Sequence, residues 1–107
     1  MKIRNWDNLK TIPMFEKITR KSLSGEKLTV ARVELKKGGL VPGHSHSNEQ
    51  ITLVLSGKLI FRSETEEKIA VPGDVIHTPS GNFHEVTALE DSVVLDIFSP
   101  SRSDWKE

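Results

Sequence analysis

Two histidines near the middle of the chain have the spacing of a metal-ligand pair. His44 and His46 are separated by one residue, and Gln50 follows four places later, within the segment from Gly38 to Gly57. If all three lie on one β-strand, they project to the same face, because strand side chains alternate. Two imidazole nitrogens and an amide oxygen then supply most of the shell of a divalent ion. The alternative is a surface loop with merely polar histidines.

A third histidine follows a predicted corner in the second half of the chain. Gly73, Pro79, Gly81 and His84 stand in the order G-x5-P-x-G-x2-H. Proline fixes its own φ angle and glycine permits conformations that other residues avoid, so this order favours a corner that leads into a strand. The predicted ligand set then has three imidazoles and one amide: His44, His46, Gln50 and His84.

Short strands separated by turns must position these ligands. We predict strands at 15–23, 27–36, 49–55, 58–63, 68–71, 75–78, 83–88 and 92–98. Turn residues recur about every 8–12 positions, and the pattern contains no long helical segment. The fold class is therefore all-β, a sandwich or small barrel. Trp6, Leu9 and Ile12 indicate either a short helical turn or an arm laid over the barrel.

Length and charge limit the function classes. The 107 residues predict one domain, 1–107, with a barrel at about 25–99 and an N-terminal arm at about 1–14. Fifteen basic and 15 acidic residues balance, so no basic field predicts a nucleic-acid or membrane partner. The chain has no cysteine for disulfide or thiolate chemistry. The polar start has no signal-peptide core, so we expect a cytoplasmic protein.

The predicted central strand is apolar on both faces. Ile51, Leu53 and Leu55 alternate with Thr52 and Val54. A strand with one face in water would alternate more cleanly between apolar and polar residues. Either the N-terminal segment or a second subunit must cover the other face, and we favour a homodimer.

Together the two motifs resemble those of the cupin superfamily. The first cupin motif, G-x5-H-x-H-x3,4-E-x6-G, matches Gly38, His44, His46 and Gly57, with Gln50 at the glutamate position. The second matches through His84, and an alanine stands where asparagine is usual. The resemblance implies a single-domain cupin jelly-roll β-barrel with the metal ion inside it.

The amide at the fourth ligand position has chemical consequences. Three neutral imidazoles and the Gln50 amide leave the full charge of a divalent ion in the cavity. Such an ion is a strong Lewis acid and attracts anionic substrates. A register shift of one residue would offer the Glu49 carboxylate instead, but strand parity favours Gln50. His77 has the other parity, so we expect it to face solvent or to pack.

The last predicted strand carries a carboxylate within an apolar run. Asp96 and Phe98 share a face of the segment VVLDIF, and Arg102 follows in the loop. A carboxylate in such a strand either pairs internally or serves chemistry. In the purely structural alternative, Asp96 forms a salt bridge, Phe98 belongs to the core and Arg102 is solvated.

Four segments resemble one cupin subgroup, the pectin-degradation protein KdgF: GEKL at 25–28, HSHSNEQ at 44–50, VLSG at 54–57 and the C-terminal stretch from 88 to 105. The resemblance implies conversion of 4,5-unsaturated monouronates, released from pectin or alginate, into linear ketonised uronates. It also implies that the metal ligands are His44, His46, Gln50 and His84. The implied catalytic residues are Asp96, Phe98 and Arg102.

The resemblance further implies one divalent transition-metal ion as cofactor, and nitrogen and oxygen ligands suit Ni, Zn, Fe, Mn or Cu. A small anionic sugar is the expected substrate, so an isomerase- or lyase-like enzyme is favoured. Two alternatives remain open: an iron-dependent cupin dioxygenase or other oxidoreductase, and a non-enzymatic cupin that binds metal or sugar.

Overall fold

The apolar runs of the chain form ten strands, described here for residues 1–105 by a computed structural model. The strands are β1 Ile12–Phe15, β2 Ile18–Ser24, β3 Thr29–Leu35, β4 Leu40–His44, β5 Glu49–Ser56, β6 Leu59–Arg62, β7 Glu67–Ala70, β8 Val75–Thr78, β9 His84–Ala88 and β10 Ser92–Ser99. A short 3-10 helix, Trp6–Asn8, precedes them, in agreement with the predicted helical turn. The last two residues of the predicted domain lie outside the described part.

These strands form two antiparallel sheets. The larger has six strands in the order β1-β2-β3-β10-β5-β8, and the smaller has four in the order β4-β9-β6-β7. Buried aliphatic side chains of both sheets form the core between them. The predicted all-β jelly-roll fold is confirmed, with two facing sheets rather than one continuous closed ladder. No described helix is long and apolar enough to cross a membrane.

Strand β3 has the alternating burial that allowed strands to be predicted from the sequence. Thr29, Ala31, Val33 and Leu35 are all buried, whereas the residues between them are half-buried or exposed. This alternation is the period of a strand with one face on the core. Strand β10 pairs with β3 on one side and β5 on the other, so it lies inside the six-stranded sheet.

Two strands escaped prediction. Strand β1 contains Pro13 and lies at one edge of the larger sheet, and β4 contains Pro42 and Gly43 at one edge of the smaller sheet. Proline weakens a strand signal because it cannot donate to a ladder, yet an edge position tolerates it. The segment predicted as an arm thus ends in an edge strand.

The N-terminal segment does not lie over the outer face of β5. It pairs with β2 through β1, at the sheet edge away from β5. Ile51 and Leu55 on that outer face are 39% and 49% exposed. The alternative in which the arm covers the central strand is therefore wrong, and the apolar outer face remains exposed in this chain.

Candidate metal centre

Three histidines meet at one end of β4 and β9, two neighbouring strands of the smaller sheet. His44 is the last residue of β4, His84 is the first of β9, and the two are cross-strand partners. His46 lies in the loop that follows β4. The ring centroid of His84 lies 4.3 Å from that of His44 and 5.2 Å from that of His46. The side chains converge as predicted, but the reason given was wrong, because His44, His46 and Gln50 do not share one strand.

The corner before β9 holds the loop that carries His46. The Gly81 amide donates to the His46 carbonyl at 2.8 Å, and the Ser80 hydroxyl donates to the Ser47 carbonyl at 2.6 Å. Gly81 has a φ of 78°, a conformation that glycine adopts without the steric cost of a side chain. The two sequence motifs are therefore linked by hydrogen bonds at the site itself.

Each of the three rings has its Nδ1 beside a backbone carbonyl. The carbonyl oxygens of Pro42, Asn48 and Asn82 lie 2.8, 3.0 and 3.1 Å from the Nδ1 atoms of His44, His46 and His84, respectively. A carbonyl only accepts, so each Nδ1 carries the proton and each Nε2 keeps its lone pair. One nitrogen from each ring lies within 4.8 Å of the others. This is the usual arrangement of histidines that bind a metal ion.

Gln50 completes the set from the other sheet. It is buried on β5, and its Oε1 lies 3.1 Å from Nε2 of His46. Its Nε2 donates to Thr52 and Asp96, both at 3.0 Å, so the amide oxygen is the atom that faces the histidine. The Gln50 oxygen and the His46 Nε2 are both acceptors, so a cation that binds to both atoms would stabilise their close approach. The four residues thus fit a divalent ion.

The carboxylate of Glu49, next to Gln50 in the sequence, points away from the four predicted metal ligands. Glu49 is exposed and its Oε2 lies 2.7 Å from Nε2 of His77, whose side chain is 53% exposed. The register shift that would have offered a carboxylate ligand is therefore not adopted. His77 faces solvent, one of the two positions expected for it.

Asp96 lies next to Gln50 in a network of neutral groups. Thr52 donates to its Oδ1 at 2.6 Å, and Gln50 donates to the same oxygen. Thr52 and Asp96 are paired across β5 and β10. Among the described residues Asp96 has no salt-bridge partner, in contrast to the purely structural alternative. Burial raises the pKa of Asp96 to about 6, and the hydrogen bonds from Thr52 and Gln50 oppose that rise.

Two of the histidines are biased towards the neutral form. Burial is the main reason that the pKa of His46 is lowered, and it lowers the pKa of His84 to about 4. The positive charge of Arg102 acts in the same direction on both. Neutral imidazole is the form that binds metal ions, so these rings are ready to act as ligands at neutral pH.

An aromatic wall and a cation close the other end of the site. Phe98 lies edge-on to His46, with 5.7 Å between ring centroids, and Trp105 packs against Phe98 at 5.0 Å. The guanidinium carbon of Arg102 lies 4.8 Å from the Phe98 centroid and 4.1 Å from that of Trp105. Arg102 is 11% exposed and forms a two-pronged ion pair with Asp104. It is therefore not a solvated tail residue.

These side chains surround a cavity of about 60 Å³ between the sheets. Its lining includes most of the predicted site residues: His44, Gln50, His84, Asp96, Phe98 and Arg102. A wider cleft of about 300 Å³ lies where β7 and β8 part, and it shares Phe61 and His84 with the cavity. The structure thus brings the predicted catalytic and metal-binding residues to one place.

A cupin domain is recognised over residues 31–98, which is more than half of the chain and contains all four predicted metal ligands. The chain belongs to the cupin family. Its fold and its paired histidine motifs agree with this membership.

Several cupins of known structure or role are similar to this one. The chain is 33% identical over 91 residues to the pectin degradation protein KdgF of Dickeya dadantii, covering 82% of this chain and 83% of that protein. The structure of KdgF from Halomonas sp. matches with a TM-score of 0.85 and 31% identity, over 91% of both chains. An RmlC-like cupin from Shewanella frigidimarina matches with a TM-score of 0.93 at 20% identity, over 99% of this chain and 96% of that one, which supports the fold alone.

Sequence reasoning missed three contributors to this cupin site. Thr52 bonds Asp96, Trp105 stacks on Arg102, and Met14 of β1 lines the cavity. A lone tryptophan in a polar tail was a usable signal for Trp105, because large aromatic side chains seldom lack a packing partner. Nothing in the sequence pairs Thr52 with a residue 44 positions away.

Proposed function

We propose that this cupin is a metal-dependent enzyme that converts 4,5-unsaturated monouronates from pectin or alginate breakdown into linear ketonised uronates. Similarity to two KdgF proteins supports the substrate class. The observation that carries the chemistry is the position of Asp96, whose carboxyl lies beside Gln50 and lines the same cavity as His44 and His84.

One divalent ion per chain is the proposed cofactor, held by the three histidines and by Gln50. Nitrogen and oxygen donors of this kind suit Ni, Zn, Fe, Mn or Cu. The ion would supply Lewis acidity towards a sugar oxygen. The chain itself contributes the bonds that orient the ligands, from three backbone carbonyls and from the Asp96–Thr52 pair.

The proposed reaction is an isomerisation that requires only proton movement. The substrate is a cyclic enol ether with a hydroxyl on its C1 carbon. Opening the ring breaks the C1–O5 bond as the O1 proton leaves, which gives an aldehyde at C1 and an enol at C5. The leaving O5 takes up a proton to form this enol, which becomes a ketone when the O5 proton is lost and C4 takes up a proton. No oxidant, reductant or water is consumed.

Asp96 is the proposed group that moves the proton. Its Oδ1 is held by Thr52 and Gln50, whereas its Oδ2 makes no hydrogen bond within the described chain. The fixed oxygen orients the carboxyl, and the other oxygen is left for a substrate proton. A positioned carboxyl of this kind typically contributes about 10²–10⁴ to the rate.

Arg102 and Phe98 are the proposed binding residues. A guanidinium forms two parallel hydrogen bonds with a carboxylate, so Arg102 suits the acid group of a uronate. Phe98 is 2% exposed and forms the apolar wall between Arg102 and His46. These two residues would hold the sugar acid between the cation and the histidines.

The test is incubation of the metal-loaded protein with a purified 4,5-unsaturated monouronate, followed by ultraviolet absorbance, NMR of the product and dissolved oxygen. We expect loss of the conjugated chromophore and a linear keto acid, with no oxygen uptake. Oxygen consumption with Fe²⁺ would support the cupin dioxygenase instead. Binding without turnover would support the non-enzymatic cupin.

We also propose a homodimer that buries the outer face of the six-stranded sheet. Aliphatic residues lie side by side there on five neighbouring strands, from β2 to β8: Leu23, Val30, Leu95, Ile97, Ile51, Leu53, Leu55 and Val75. Val75 is 64% exposed and Leu55 is 49% exposed. A contiguous apolar patch on an otherwise charged chain favours a second copy as its cover.

A further inference from the structure

The carboxylate of Asp104 forms an ion pair with Arg102 at the edge of the cavity. Nε and Nη2 of Arg102 donate to the two carboxylate oxygens of Asp104, at 2.9 and 2.8 Å. The arginine side chain is 11% exposed and the aspartate side chain is 62% exposed, so the carboxylate approaches a sheltered cation from the solvent side. This is the geometry in which an arginine binds the carboxylate of a ligand.

Arg102 belongs to the wall between the cavity and the outside. Together with Trp105 it lines both the inner cavity of about 60 Å³ and an outer groove of about 700 Å³. The inner volume is well below the roughly 300–1,000 Å³ of typical small-molecule sites. A sugar acid held wholly within the inner cavity must therefore displace part of its lining.

A group beside this lining that can move aside is the Asp104 side chain, which is exposed and pairs with Arg102. The backbone of Arg102 is fixed, because its amide donates to Thr29 at 2.9 Å. Beyond that point the Asp104 side chain is held by its ion pair with Arg102. Because Asp104 is 62% exposed, water can solvate its carboxylate when the pair opens, and a substrate carboxylate can take its place on Arg102.

We propose that Asp104 is an internal competitor for Arg102, whose carboxylate holds the Nε–Nη2 edge of Arg102 in the free protein and is replaced there by the carboxylate of the substrate. The inference rests on the proposed function, because it takes Arg102 as the substrate anchor. Only a ligand with its own carboxylate can replace Asp104 and restore a two-bond ion pair with Arg102. A neutral sugar leaves Arg102 occupied by Asp104, so removal of Asp104 should change the affinity for acids alone.

The test compares binding of D-galacturonate and D-galactose to the metal-loaded protein by calorimetry. We expect Asp104→Asn to bind the acid about two- to fivefold more tightly than the natural chain, the range for removal of one competing ion pair that is partly exposed. Affinity for galactose should stay unchanged. Glu67→Gln is the matched control, since Glu67 pairs with Arg62 at 2.7 Å on the surface, with 57% of its side chain exposed. That variant should bind the acid as the natural chain does.

Weaker, equal or absent binding of the acid by Asp104→Asn would overturn the proposal. Weaker binding would mean that Asp104 orients Arg102 instead of competing for it. A similar gain in Glu67→Gln would also overturn it, because the effect would then be one of total charge. D-galacturonate has no 4,5 double bond and is not a substrate of the proposed reaction. The binding result therefore stands apart from the turnover assay, in which failure of the proposed function would be seen.

Discussion

The two sheets contribute to the cavity in different ways. The smaller sheet and its adjoining loops carry the histidines, and each Nδ1 is bonded to a carbonyl only two residues away in the chain. The larger sheet carries Gln50, Thr52 and Asp96, and Asp96 is bonded to the other two across 44–46 residues of sequence. Local bonds thus orient the three histidines, and long-range bonds orient Asp96 and the fourth proposed ligand, Gln50. The proposed metal binding and proton transfer should still be separable by mutation, because the histidine rings are oriented without Asp96.

The largest effect is expected from the histidine side. Replacing both His46 and His84 with alanine removes two of three imidazole ligands, so the metal content should fall from one ion per chain to near zero. Elemental analysis of protein purified without a histidine tag measures this. His77→Ala is the control and should retain its ion, because His77 pairs with Glu49 outside the cavity. Stoichiometric metal in the double variant would place the centre elsewhere.

The next largest effect is expected from Asp96. Asp96→Asn should lower kcat by about 10²–10⁴, the usual contribution of a general acid or base. Its neighbours Thr52 and Gln50 are neutral, so no buried charge is left without a partner, and the metal content and melting temperature should change little. Activity is measured per metal-loaded molecule, beside thermal melts.

The control for Asp96→Asn is Glu85→Gln, which removes the same charge next to His84. Glu85 pairs with Arg62 instead of facing the cavity. It should keep full activity. A destabilised Asp96→Asn protein with undiminished turnover would contradict the catalytic role and favour a structural one.

The sequence alone could predict the local half of this comparison. His44, His46 and His84 stand at motif spacings, and the turns that aim them contain recognisable glycine and proline residues. It could not show that His44 ends one strand while Gln50 lies on the next, because Pro42 and Gly43 conceal β4. Strand parity predicted that these side chains converge, and they do, but not because they share one strand.

The contacts of Asp96 and Arg102 were harder to predict from the sequence. Asp96 stood out as a charge in an apolar strand, but its partner Thr52 follows from the β5–β10 register, which no local pattern contains. Arg102 and Asp104 are close in sequence, yet the burial of the Arg102 side chain depends on Trp105, which packs against Phe98. Such contacts are set by packing and not by propensity.

A smaller effect is expected at the edge of the cavity. Arg102→Ala should raise KM about ten- to a hundredfold, as expected from loss of a charge-assisted hydrogen bond worth about 1.5–3 kcal/mol. The effect on kcat should be minor if Arg102 holds the substrate equally before and during the reaction. Steady-state kinetics at saturating metal measure the two constants. A fall in kcat with unchanged KM would assign Arg102 to the chemical step.

The smallest effect on catalysis is expected from the outer face of the larger sheet. Leu55→Glu places a charge in the proposed dimer interface, on the side of β5 away from Gln50. Light scattering should give twice the chain mass of 12.0 kDa for the natural protein and a single chain mass for the variant. Turnover per chain should be unchanged. A natural protein of single chain mass would contradict the dimer.

The most direct measurement for the whole account is the initial rate of chromophore loss from 4,5-unsaturated monouronate as metal-free protein is titrated with a divalent ion. The histidine and glutamine shell predicts a rate that rises in proportion to occupancy and levels off at one equivalent per chain. Asp96→Asn should bind the same equivalent with almost no gain in rate. Chromophore loss that is equally fast without metal, or absent at full occupancy, would contradict the account.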